Sequence, residues 1–74
     1  MNKLSDQIIN YMVACIHDFG EAHHLPDVDS FQYLCRYGAL DFLEKSYDAE
    51  HLLSLYEVLE DLGDVCRRNG GDLA

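Results

Sequence analysis

Apolar residues recur at helical spacing through the first third of the chain. Ile8, Ile9, Met12, Cys15, Ile16, Phe19 and His23 fall on one face. Tyr11 and Val13 widen that face beyond half the circumference, which predicts a central helix touching several neighbours. The opposite side carries Asn10, His17, Glu21 and His24. Ser5 reads as the N-cap, because a hydroxyl there accepts from an unpaired amide of the first turn. The predicted helix runs from about Asp6 to about His23, and His24-Leu25-Pro26 ends it, since the residue before proline avoids the α region.

Pro26-Asp27 suits the start of a second helix, with Val28, Phe31, Leu34 and Cys35 as its buried stripe. Gly38 reads as the left-handed residue that closes it. A third helix is predicted from Ala39 to about Tyr47, with Leu40, Leu43 and Tyr47 on one side. Residues 48–54 form a connector that has room for one helical turn. Ser54 and Glu57 then have capping-box spacing. After them Leu55, Val58, Leu59, Leu62, Val65 and Cys66 make an apolar stripe. Acids come early in this last helix and Arg67-Arg68 come late, which complements the macrodipole. Asp64 and Arg68 stand at i,i+4, and Asn69-Gly70-Gly71 terminates the helix. The expectation is an all-α fold: a compact bundle of about four short helices forming one domain over 1–74, frayed at about 1–5 and 70–74.

Charge narrows the partners. Fourteen acids against five bases give a net charge of −9. Phosphate backbones and anionic lipid surfaces both need clustered Lys and Arg, so neither nucleic acid nor membrane is an expected partner. A basic protein surface would be attracted, though acids also serve plain solubility. No stretch approaches the roughly 20 apolar residues of a membrane span. No signal-peptide pattern opens the chain, so a cytoplasmic location is expected. Cys15, Cys35 and Cys66 are an odd, widely spaced set on apolar faces, which reads as buried free thiols and not as a disulfide framework or zinc knuckle.

Catalytic patterns are lacking. There is no Gly-x-Ser-x-Gly elbow and no glycine-rich phosphate loop before a helix. No enzyme activity, cofactor or bound metal is expected. His17, Glu21 and His24, spaced four and three apart, share one face and could hold a divalent cation or small ligand. That face is polar, so three solvated side chains are the plainer reading. The tyrosines say more. Tyr33, Tyr37 and Tyr56 flank the apolar stripes, and tyrosine is enriched in interface hot spots. Tyr37, Tyr56, Glu57, Glu60, Asp61 and Asp64 are therefore the candidate protein interface. A domain this small is also helped by self-association, so a structural homodimer is the alternative.

The segment Tyr37-Gly38-Ala39-Leu40-Asp41-Phe42-Leu43, then Tyr47-Asp48-Ala49-Glu50-His51, then Glu57-Val58-Leu59-Glu60-Asp61-Leu62, resembles a family of very small bacterial proteins. That family is catalogued as domain of unknown function thirty-seven ninety-one. The resemblance covers about Ile8 to Leu62 and implies a bacterial, cytosolic, helical protein with no established activity. It also implies an antitoxin or accessory role beside an ADP-ribosyltransferase-like protein. The sequence departs from the family where Pro26 replaces a capping serine and Glu50 an aliphatic residue. Leu52-Leu53 likewise replaces a more polar turn, and these departures leave the path of the 48–54 connector open.

Overall fold

The computed structural model describes residues 3–73, and no strand occurs among them. The first helix, α1, spans Lys3–His23. It begins before Ser5, so Ser5 lies inside the helix and is not its cap. Its C-terminus is closed by His24, which takes the left-handed conformation at φ 58°. The Leu25 amide then reaches back to the Gly20 carbonyl at 2.8 Å and the His24 amide to Glu21 at 3.4 Å. This is the Schellman pattern with histidine in the place glycine usually takes.

Helix α2, Asp27–Arg36, starts at an extended Pro26. Its inward face differs from the predicted one. Ser30 and Leu34 are buried, while Val28, Phe31 and Cys35 are exposed. The reason lies in the crossing with α1. A Cβ built on Gly20 would stand 2.7 Å from the Leu25 carbonyl oxygen and 3.2 Å from Ser30 Cβ, so only glycine admits so close an approach. The Ser30 hydroxyl donates to the Ile16 carbonyl oxygen at 2.6 Å. A small residue whose polar atom is satisfied can enter a core where valine or phenylalanine would not fit.

Gly38, at φ 78°, turns the chain from α2 into α3, Ala39–Lys45, as expected. The chain then breaks at Ser46 and makes a separate single turn, α4, at Tyr47–Glu50. The last helix, α5, covers Leu55–Arg68. Ser54 and Glu57 form the predicted capping box, the Glu57 amide donating to the Ser54 hydroxyl at 3.2 Å. The stripe of α5 is inward except for Leu55, which is exposed. Asp64 pairs with Arg67, not with the expected Arg68, whose Nε instead donates to the Asp64 carbonyl oxygen at 3.3 Å.

The core is built from Cys15 and Phe19 of α1, Leu34 of α2, Ala39, Leu40 and Leu43 of α3, and Val58, Leu62 and Cys66 of α5. Burial pushes the Cys15 and Cys66 thiols up, consistent with small apolar side chains in use as packing. Cys35 departs from that expectation and faces outward. Residues 71–73 fold back onto this core. The Gly71 amide donates to the Cys66 carbonyl oxygen at 2.7 Å, and the Leu73 amide donates to the Tyr33 hydroxyl at 3.0 Å.

Candidate protein-interaction surface

Five of the six residues of the expected interface lie on α5, and the sixth, Tyr37, is the C-cap of α2. Tyr56 is exposed, and its hydroxyl donates to Glu60 at 3.2 Å along α5. Both line a shallow groove with His23, Leu59 and Arg67. Glu57 is engaged in the capping box, and Asp64 in its ion pair with Arg67. Asp61 turns inward toward Glu50. Tyr37 sits at the far end of α2, its ring centroid 4.9 Å from that of Tyr33. Its carbonyl oxygen accepts from the Asn69 side chain at 2.7 Å. Tyr56, Glu57, Glu60 and Asp64 are all exposed along α5, and of these Tyr56 and Glu60 line the groove.

Of His17, Glu21 and His24, the structure brings the first two together. His17 Nε2 lies 3.5 Å from Glu21, but its Nδ1 meets Asp27 of α2 at 3.0 Å. His24 leaves the helical face through its positive φ. The hydrogen bond to Asp27 raises the His17 pKa above its ordinary value, so a proton is what this carboxylate favours there. Among the described residues no group of three or more His, Cys, Asp or Glu side chains is arranged to hold a metal ion.

The surface that sequence reasoning missed lies along the seam of α1 and α2. Val13 is 60% exposed, Val28 65% and Phe31 48%. With Ile16 and Asp27 they line a shallow apolar groove of about 240 Å³. Ile9, one helical turn before Val13, is 53% exposed and extends the same strip. Singly exposed apolar residues are ordinary, and here Val13, Ile16, Val28 and Phe31 lie together along one groove. The rim here carries the His17–Asp27 pair. In the sequence these residues looked like core because they are apolar at helical spacing. Periodicity says that a face is apolar; it does not say whether a neighbour covers it.

The connector holds the second surprise. Glu50 is 6% exposed, and its Oε1 has no hydrogen-bond partner. The Tyr11 hydroxyl is likewise buried without a partner. Burial, then the neighbouring carboxyl of Asp61, pushes the Glu50 pKa up to about 7. His51 closes the α4 turn: its Nδ1 is 2.6 Å from the Tyr47 carbonyl oxygen, and its ring stacks on Tyr47 at 4.4 Å.

No helix among the described residues is long and apolar enough to cross a membrane. Residues 10–69 match the model of a family described as protein of unknown function (DUF3791). Neither a curated protein nor a solved structure matches the chain.

Proposed function

Because the chain belongs to that family, whose members have no assigned function, we propose from its surface that it is a protein-binding module and not an enzyme. It docks one amphipathic, basic segment of another protein on the α1–α2 seam. The observation that carries this reading is the apolar groove of Val13, Ile16, Val28 and Phe31 with Asp27 at its edge. Apolar side chains of the partner would fill the groove and supply most of the affinity. Basic residues beside them would meet Asp27 and the wider acidic exterior of a chain carrying −9. The same charge opposes self-association, so a second copy is a poorer occupant. The acids of α5 act at longer range, accelerating encounter without forming the contact. The ADP-ribosyltransferase-like protein that the family resemblance implies is the first partner to try.

The test is an affinity pull-down of the tagged protein from its native cytosol, with Val28→Ser/Phe31→Ser beside the wild type. One stoichiometric basic partner retained by the wild type and lost by the variant supports the reading. Glu60→Lys should slow its association at low salt while leaving dissociation nearly unchanged. Glu60 is the residue to reverse, because Glu57 also caps α5 and its loss would disturb the helix. Equal capture by wild type and seam variant, or a native mass showing a dimer that the variant dissolves, would remove this assignment.

A further inference from the structure

We infer that Glu50 and Asp61 form a proton-operated latch that fastens the α4 turn and the 51–54 connector to the body of the bundle. The geometry begins with how little else holds α4. It is one turn, Tyr47–Glu50, between a break at Ser46 and the exposed connector. Its backbone hydrogen bonds are local: Glu50 to Ser46 at 2.8 Å, His51 to Tyr47 at 3.0 Å, Leu53 to Glu50 at 3.0 Å. Such bonds shape the turn but do not attach it to α1 or α5. The inward attachments are side chains. The Tyr47 ring packs edge-on against Tyr11 at 5.4 Å, and the Glu50 side chain is buried, 6% exposed with its Oε1 unpartnered, with Asp61 of α5 as its neighbouring acid.

Two carboxyl groups can hydrogen-bond to each other only if one of them keeps a proton. The surroundings oppose losing it. On α1, Tyr11 and Cys15 face Glu50, and neither carries a positive charge. On α5 the charges that reach Glu50 are Asp61 and Glu57, both acids. The titratable neighbours on its own segment are Tyr47, Asp48 and His51, and His51 is turned to the Tyr47 carbonyl. A buried carboxylate in that company has no cation to repay its desolvation. With one shared proton the pair is a neutral hydrogen-bonded plug. When that proton leaves for solvent, two carboxylates face each other and the cheapest relief is for Glu50 to swing out, carrying α4 with it. Tyr11 and Cys15, which lie beneath, would then be uncovered.

Amide hydrogen exchange on the intact chain at pH 5.5 and pH 8, corrected for the intrinsic rate, tests the latch. Protection at Glu50, His51 and Leu53 should fall on the order of tenfold at the higher pH, while the centres of α1 and α5 stay unchanged. Glu50→Gln keeps the shape and cannot ionise, so its protection should be level across the range. Asp61→Asn can donate to a Glu50 carboxylate and should also flatten the response. Unchanged protection in the wild type, or the same loss in Glu50→Gln, would overturn the proposal. Should Glu50→Gln fail to fold, a carbon-13 titration of the wild-type Glu50 carboxyl decides. A midpoint near 7 upholds the latch, and one in the ordinary carboxylate range rejects it.

Discussion

The Ser30 hydroxyl is hydrogen-bonded to the Ile16 carbonyl oxygen at 2.6 Å, and its Cβ lies 3.2 Å from where a side chain on Gly20 would begin. Alanine is normally the better helix former by about 1 kcal/mol. Here the added methyl would meet the Leu25 carbonyl oxygen at 2.7 Å. Overpacking of that kind costs about 1–3 kcal/mol. Gly20→Ala is therefore expected to destabilise, and Ser30→Ala to cost about 1 kcal/mol through the lost bond. Urea denaturation of both variants checks this, and a stabilised Gly20→Ala would mean the crossing is looser than described.

The two sides of α2 should answer differently to truncation. Leu34 is fully buried, so Leu34→Ala should cost about 2–5 kcal/mol. Val28→Ser and Phe31→Ser remove side chains that are already half in water and should each cost less than about 1 kcal/mol. Equal losses on both sides would return Phe31 to the core.

Thiol labelling under native conditions should modify Cys35 quickly and spare Cys15 and Cys66. The first is exposed and the other two are buried with raised pKa values. Reactivity follows access and thiolate fraction together. Intact-mass readings over time give the count, and a second fast label would contradict the packing.

Stability should carry a proton signature. Glu50 is raised from 4.5 to about 7, so the native state holds this proton more tightly than the unfolded chain does. Stability from this group is then fully present below about pH 4.5 and is lost as pH rises toward 7, by up to about 3 kcal/mol. His17, raised by Asp27, loses its contribution in the same direction, and His23, lowered by burial, acts oppositely. Subtracting the Glu50→Gln profile from the wild-type profile isolates the Glu50 part. A flat difference between pH 5 and 8 would contradict the burial of the carboxyl.

The helices themselves were legible because each is punctuated by local chemistry. Pro26, Gly38, the Ser54–Glu57 box and Asn69-Gly70 all act where the pattern places them. The misses share one cause. His24 at positive φ, Ser30 in the core, Phe31 in solvent and Glu50 buried are each decided by a neighbour distant in sequence or by a backbone contact. The acids of the expected interface differ for a similar reason. Four acids on one helix look alike in a string of letters, yet one caps, one turns inward and one is ion-paired.

The bonds from Asn69 to the Tyr37 carbonyl and from Leu73 to the Tyr33 hydroxyl span 32 and 40 positions. During synthesis, α2 is made long before the atoms that fasten its end. Neither bond can form until residues 69–73 have left the ribosome. The end of α2 is therefore fastened only after α5 has been made.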